Sequence, residues 1–181
     1  NTALLATAVM DQYEGNSDWF PLSVEYEERF YAAGKILGSQ YVRREGRPSE
    51  DAILTGRIID RTIRPLFNQK MRHSIQVVIT VLAIDEDDPD VLGLVAASLA
   101  LGTSDIPWDG PVSAVRIGRA GEEFVTNPTY TERKADDYNT DIIACGKDGK
   151  INMIEVGSNE TKEDVLMEGL TFAVGEIEKL Q

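Results

Sequence analysis

The sequence predicts an α/β (α+β) fold in which helices cover a mixed β-sheet. In some segments apolar residues alternate with polar ones, as in strands, and in others they recur every three or four residues, as in helices. These segments follow one another in the order β-β-α-β-α-β-β-β-β-α, which favours layered packing around a shared core. A chain of 181 residues fits one domain of this kind, spanning residues 1–181.

The first half of the chain contains three predicted strands. Residues 3–10 and 20–30 are separated by the turn-forming letters EGNSD, and Leu22 and Val24 alternate with polar residues. Residues 74–85 read SIQVVITVLAID, a β-branched run of low polarity. Such a run predicts a strand that is buried on both faces.

Three helices are predicted from their starting residues. Ser49 is the expected N-cap of the first, and Asp88 followed by Pro89 begins the second. The third begins near Thr161, which forms a capping-box pattern with Asp164. The helices are therefore expected to separate groups of strands along the chain.

Two hairpins complete the fold. The first joins VSAVRIG to EEFVTNPT, and the second folds TDIIACGKDGKINMIEVG back on itself at residues 147–150. The letters GKDGK lack the glycine-to-lysine spacing of a phosphate-binding loop, so they predict a turn.

The charge of the chain is unevenly distributed. The formal net charge is −13, yet residues 41–73 hold eight basic and four acidic residues, against ten basic and 27 acidic elsewhere. The global charge disfavours non-specific binding of nucleic acid, because phosphates are repelled at long range. A local basic surface can still form a specific anion site, since salt screens charges beyond about 10 Å.

Cysteine content and hydropathy indicate the cellular setting. Cys145 is the one cysteine, which excludes a disulfide within the chain and favours a reducing, cytoplasmic location. It lies in an apolar segment and is predicted to be buried. The longest apolar run, residues 91–101, is far shorter than the ~20 residues of a membrane-spanning helix, so no membrane partner is expected.

Six arginines are concentrated in a loop and in the helix that follows it. The loop holds Arg43, Arg44 and Arg47 beside Tyr41, and the helix holds Arg57, Arg61 and Arg64 on one side. An aromatic residue next to arginines is typical of surfaces that bind single-stranded nucleic acid. Asp60 can form one helical ion pair within this group. A subunit interface or internal salt bridges explain the same pattern, so these alternatives stay open.

Four segments closely resemble the first RNase PH-like domain of the bacterial polynucleotide phosphorylase family, and the resemblance runs over residues 1–181. They read FPLSVEYEERFYAAGKILG, RREGRPSEDAILTGRIIDRTIRPLF, VVITVLAIDEDDPDVLGLVAASLAL and IPWDGPVSAVRIG. The resemblance implies the RNase PH-like (ribosomal protein S5 domain 2-like) fold. It also implies a longer chain that continues into a second RNase PH-like domain and KH and S1 domains, an expectation that agrees with a sequence beginning without methionine.

The family's activity gives the functional expectation. Its members form homotrimeric rings and degrade single-stranded RNA from the 3′ end with phosphate, releasing nucleoside diphosphates, and other RNA-degradation proteins are possible partners. The resemblance implies that inorganic phosphate is the co-substrate and that Mg²⁺ acts in the second domain. This half is then expected to guide RNA and to build the ring.

The resemblance also implies roles for particular residues. Tyr41, Arg43, Arg44 and Arg47 match the loop that contacts RNA, although Val42 replaces a second aromatic residue. Arg57, Arg61 and Arg64 match helix arginines that can hold an anion in a vestigial pocket.

No catalytic or metal-binding residue is expected in this half. Asp141 matches one acid of the family's D-x5-D-x-K arrangement, but Ala135 and Ile143 stand at the other two positions. Asp136, Asp137 and Asp141 have a spacing that a hard cation can use, but a solvated loop explains them better.

Two other functions remain open from the sequence. The chain is either a structural ring-assembly module that does not contact RNA, or a self-sufficient phosphorolytic subunit like RNase PH itself. Ile143 and the lack of an obvious phosphate loop argue against the second of these.

Overall fold

The computed structural model describes residues 1–36 and 47–181, which form seven strands, three α-helices and three short 3₁₀ turns. The strands are β1 (Ala3–Glu14), β2 (Leu22–Glu28), β3 (His73–Ala83), β4 (Ser113–Ala120), β5 (Glu123–Thr126), β6 (Tyr138–Lys147) and β7 (Lys150–Ser158). The helices are α1 (Glu50–Ile63), α2 (Pro89–Gly102) and α3 (Glu163–Leu180). The predicted order and type of these elements are confirmed.

The strands form two sheets. The first has the order β1-β3-β2, with β3 antiparallel to β1 and parallel to β2, and the second is antiparallel with the order β5-β4-β6-β7. Helices α1 and α2 pack against the first sheet and also contact the second, whereas α3 packs on β4 and β6. The layers therefore follow one another as a sheet, two helices, a second sheet and a third helix. The sequence predicted a single mixed sheet, whereas the strands form two sheets.

Strand β3 differs from its prediction. Ile75, Val77, Ile79 and Val81 are fully buried, but the residues between them are partly or fully exposed. The helices cover only one face of the first sheet, so the apolar run of β3 is buried on one side. On the other face Leu5 and Leu82 remain exposed within the described residues.

Local signals in the sequence explain the first two helices. The Ser49 side chain accepts a hydrogen bond from the Ala52 amide at 3.0 Å, and Asp88 accepts one from the Asp90 amide at 3.1 Å. Both predicted N-caps are thereby confirmed. Glycine then allows close packing: a Cβ on Gly93 would lie 3.2 Å from Cε2 of Tyr26, so the tyrosine ring packs closely against the N-terminal half of α2.

Helix α3 begins differently from the prediction. Its N-cap is Lys162, which makes no capping side-chain hydrogen bond. The hydroxyl of Thr161 instead lies 2.7 Å from the hydroxyl of Thr140 on β6. The capping-box prediction for Thr161 is wrong, because a tertiary hydrogen bond to the sheet replaces the local one.

The main core joins the two sheets. It contains the buried residues of β3 and α2 together with Ala114, Ile143 and Cys145 from the second sheet. Cys145 is fully buried, as predicted, and burial raises the pKa of its thiol to about 11. A smaller cluster packs α3 on the second sheet. Among the described residues, no helix is both long and apolar enough to cross a membrane.

Candidate functional site

A polar cavity lies between the helix layer and the second sheet. We call it the acidic cleft, a cavity of about 390 Å³ whose floor is formed by Asp88, Asp90, Arg116, Arg133 and Asp141. Asp88 and Asp90 stand at the N-terminus of α2. Arg116 lies on β4, Asp141 lies on β6, and Arg133 belongs to a 3₁₀ turn. The fold thus brings charged groups from four elements to one place.

Arg116 is the centre of this cluster. Its side chain is only 9% exposed, and its Nη2 lies 3.2 Å from Oδ2 of both Asp88 and Asp90. Its Nη1 donates to Oδ2 of Asp141 at 2.7 Å. Arg133 also pairs with Asp88. Three carboxylates therefore share two guanidinium groups.

The shared charges shift the acids in opposite directions. Burial and the neighbouring Asp88 raise the pKa of Asp90 to about 6, although Arg116 and the hydroxyl of Thr55 oppose this shift. Burial also acts to raise the pKa of Asp88, but Arg116 and Arg133 lower it overall. Asp90 is thus the less stabilised carboxylate of the pair and takes up a proton before Asp88 as the pH falls.

Two polar atoms of the residues that line the cleft lack hydrogen-bond partners among the described residues. They are Oδ1 of Asp141 and Nε of Arg116, each buried from solvent. Buried polar groups are nearly always hydrogen-bonded in folded proteins, so these two atoms are the places in the cleft where a further partner can bind.

The described residues contain no group of three His, Cys, Asp or Glu side chains arranged to hold a metal ion. Asp141 instead accepts a hydrogen bond from Arg116 through Oδ2, and Ile143 lines the cleft at the position where the resemblance places a lysine. Arg116 therefore occupies one oxygen of this carboxylate, and the single oxygen left over is fewer than the several ligands that Mg²⁺ requires.

The predicted RNA-contacting loop lies largely outside the described residues. Tyr41, Arg43 and Arg44 fall in the range that the structure does not describe. Arg47 is exposed and lines a second cavity, of about 490 Å³, together with Lys35. Its RNA-binding role stays a prediction.

The three helix arginines do not line the acidic cleft. Arg57 lines a third cavity, of about 370 Å³, beside Asp60, and Arg61 is exposed on the surface of α1. Arg64 donates to both carboxylate oxygens of Asp60, at 2.9 and 2.6 Å, so the predicted helical ion pair is present. Arg64 also donates to the carbonyl oxygens of Phe20 and Leu22, at 3.3 and 3.0 Å.

This difference between the arginines gives a first prediction. Replacing Arg64 with alanine should lower the free energy of unfolding by about 1–3 kcal/mol, because it removes the hydrogen bonds that tie α1 to β2. This range allows for the screening of the ion pair by solvent, since Arg64 is partly exposed. Arg61→Ala, which removes an exposed side chain, should change it by less than about 0.5 kcal/mol. Urea denaturation of both variants measures the difference, and equal losses would contradict it.

Sequence reasoning recognised Asp88 only as a helix cap and missed Arg116 and Arg133. One signal for Arg116 was available: it stands between Val115 and Ile117, both fully buried, in a strand whose neighbours are apolar. A charged residue at such a position requires a buried partner. Arg133 offers no comparable signal, because its surrounding sequence is polar.

Residues 1–107 match the sequence profile described as "3′ exoribonuclease family, domain 1", and residues 110–176 match the profile of domain 2 of the same family. Curated relatives named polyribonucleotide nucleotidyltransferase include one from Exiguobacterium sibiricum, 47% identical over 99% of this chain, and one from Thermus thermophilus, 46% identical over 99%. A third, from Geobacillus kaustophilus, is 44% identical over 99%. The chain spans 24% of the length of the first and 25% of the other two.

A similar solved structure supports the fold. It is described as the Archaeoglobus fulgidus exosome with RNA bound to the active site, and the match covers 99% of this chain and 78% of that one. The TM-score is 0.73 at 19% identity, so the likeness extends to the fold alone.

Proposed function

Because the chain belongs to the 3′ exoribonuclease family and corresponds to the N-terminal region of polyribonucleotide nucleotidyltransferases, we propose that it is the RNA-guiding, non-catalytic half of a phosphorolytic 3′-to-5′ exoribonuclease. The carrying observation is the 44–47% identity to these enzymes across 99% of the chain. The complete enzyme would use inorganic phosphate to release nucleoside diphosphates from single-stranded RNA.

The chemistry of the acidic cleft supports placing catalysis outside this chain. In the cleft, Arg116 occupies one of the two oxygens of Asp141, and Ile143 stands where the resemblance places a lysine. Stabilising the charge that develops on phosphate needs cationic groups or a metal ion free to act. We infer that Mg²⁺ and the reacting phosphate bind in a second RNase PH-like domain, and these same features argue against a self-sufficient subunit.

The main core supports treating residues 1–181 as a single RNase PH-like domain. It includes Ile79 from the first matched segment and Val112 and Ile143 from the second, so the two segments share one interior. We propose that the second RNase PH-like, KH and S1 domains belong to the remaining three quarters of a longer chain. A homotrimeric ring in the cytoplasm, with other RNA-degradation proteins as further partners, belongs to the same proposal.

The arginines would act on RNA in two ways. The RNA strand would be contacted by Tyr41, Arg43, Arg44 and Arg47. On α1, Arg57 and Arg61 remain exposed and can bind an anion. Arg64 was predicted with them, but its guanidinium is bonded to Asp60 and two backbone carbonyls, so we assign it to the support of the helix.

A purely structural role has one specific observation in its favour. Helix α1 leaves Ile53 and Leu54 half exposed beside Arg57 and Arg61, a combination that also suits a protein interface. In that case an Arg57→Ala, Arg61→Ala variant would lose oligomeric mass and keep its affinity for RNA.

Phosphate-dependent release of nucleoside diphosphates tests the assignment of catalysis. With single-stranded RNA, phosphate and Mg²⁺, this chain alone should release none, whereas the longer protein that contains it should be active. Release by this chain would contradict the proposal and would direct attention back to the acidic cleft.

RNA affinity measured against salt concentration tests the guiding role in the same preparations. Removing two phosphate contacts with Arg43→Ala and Arg44→Ala should flatten the slope of log affinity against log salt by about 1.4, the value for two contacts to a single strand. A Lys70→Ala, Lys134→Ala variant, which removes two exposed charges elsewhere, is the control and should keep the slope. An unchanged slope in the arginine variant would exclude these contacts.

A further inference from the structure

We propose that Trp19, together with Tyr13, forms a stacking platform for the bases of single-stranded RNA. Both residues lie where β1 connects to β2, in a segment that we call the aromatic loop (residues 13–20). The inference rests on the proposed RNA-guiding function, because it adds a base contact to the phosphate contacts of the arginines. It is carried by the exposure of the two rings, by the contacts that fix their loop and by its place at the end of α1.

The first argument is the exposure of the two rings. Tyr13 is 84% exposed and Trp19 is 71% exposed, more than any other aromatic residue that the structure describes. Tryptophan is highly buried on average in folded proteins. Trp108 follows this rule, since it is partly buried and its ring packs against that of Phe67 with centroids 6.0 Å apart. Two accessible rings in one loop are therefore typical of a contact surface rather than of a core.

The second argument is that the loop is held in place by tertiary contacts. Arg72 donates from Nη2 to the carbonyl oxygen of Asp18 at 3.3 Å. The amide of Gly15 donates to the carbonyl oxygen of Arg72 at 2.9 Å, so both parts of the loop meet the same residue. On the other side of Trp19, Phe20 is buried in the main core. Because the backbone around the indole is fixed, little conformational entropy is lost when a base stacks on it.

The third argument is the position of the loop beside the exposed arginines. Arg64, at the C-terminal end of α1, donates to the carbonyl oxygen of Phe20 at 3.3 Å, so the aromatic loop adjoins that end of the helix. Arg61 lies three residues before Arg64, Arg57 lies one turn earlier, and both are exposed. An RNA strand whose phosphates contact these two arginines can therefore place a neighbouring base on Trp19.

The charge of the loop determines which part of the RNA it contacts. Glu14 and Asp18 are exposed in the aromatic loop, and their carboxylates repel phosphate groups. Bases are uncharged, and each of them offers a π-face to an aromatic ring. The contact is therefore stacking that tolerates any sequence, while the phosphates are left to the arginines.

Tryptophan fluorescence of this chain during titration with single-stranded oligoadenylate tests the proposal, because Trp19 and Trp108 are its two tryptophans. Stacked adenines should quench the emission. The quenching should disappear in Trp19→Phe and persist in Trp108→Phe. An abasic strand of the same length should bind through its phosphates without quenching. Quenching that persists in Trp19→Phe, or equal quenching by the abasic strand, would overturn the proposal.

Affinity measurements separate the platform from the arginines. Trp19→Ala should weaken binding of the oligoadenylate about tenfold, the loss of one stacked base. It should leave the slope of log affinity against log salt unchanged, because stacking releases no counterions. The control Phe172→Ala removes an exposed ring on α3 and should change affinity less than about twofold.

The remaining outcomes distinguish this proposal from the function on which it rests. RNA binding that leaves the emission of Trp19 unchanged at saturation would overturn the platform alone. A loss of oligomeric mass in Trp19→Ala with unchanged RNA affinity would also overturn it, and would assign the exposed indole to a protein contact. No binding of RNA by the parent protein would contradict the proposed RNA-guiding function as well.

Discussion

Replacing Arg116 with alanine is expected to lower the free energy of unfolding by about 3–5 kcal/mol, the cost of leaving buried charges without their partner. The side chain is 9% exposed and contacts Asp88, Asp90 and Asp141 at 3.2, 3.2 and 2.7 Å. Its removal leaves three carboxylates in a cleft where only Arg133 remains. Chemical denaturation at neutral pH measures the loss.

Two comparisons make this result specific. Arg116→Lys retains the charge but not the planar fork that reaches three carboxylates, so it should recover part of the lost stability. The loss in Arg116→Ala should also shrink near pH 5, because Asp90, whose pKa is raised to about 6, is then mostly protonated and no longer needs a cation. A loss of the same size at both pH values would indicate that Arg116 contributes by packing rather than by charge.

Replacing Asp90 with asparagine is expected to raise the free energy of unfolding at pH 8. The expected gain is up to about 3 kcal/mol, which corresponds to the rise in the pKa of Asp90 from 3.8 to about 6 in the folded protein. The folded protein disfavours the ionised carboxylate because of burial and the neighbouring Asp88. Asparagine resembles the protonated acid in shape and keeps groups that can bond to Thr55 and Arg116. A stabilising substitution at a buried polar position would indicate that the native residue is retained for function.

The pH dependence of this effect has a defined sign. Because the folded pKa of Asp90 lies above the unfolded one, its stabilising contribution is complete below about pH 4 and is lost as the pH rises through about 6. The difference between the Asp90→Asn variant and the parent should therefore grow between these values and then level off. Thermal unfolding across this range gives the curve, and a difference that instead increases toward acid would refute the raised pKa.

The sequence predicted local features of this molecule well. The Ser49 and Asp88 caps depend on residues two or three positions away, and both hold. The helix spacing also placed Asp60 correctly beside Arg64. Each of these contacts is decided by the period of a helix, which the sequence displays directly.

Long-range contacts were not predictable in the same way. The carbonyl oxygens of Phe20 and Leu22 that hold Arg64 lie 44 and 42 residues earlier in the chain. Asp90 is 26 residues from Arg116, and Asp88 is 45 residues from Arg133. Strand pairing decides which of these residues meet, and apolar periodicity does not specify whether seven strands form one sheet or two.

The reactivity of the buried Cys145 thiol can be used to measure how often the core opens. The thiol lies in the interior shared by the two sheets, is fully buried, and has a raised pKa, so reagents that attack thiolates should react with it only when the core opens. Because the sequence contains one cysteine, every labelled molecule records an event at a known place. The rate of labelling under native conditions thus converts into an opening free energy, without an added dye or a denaturant.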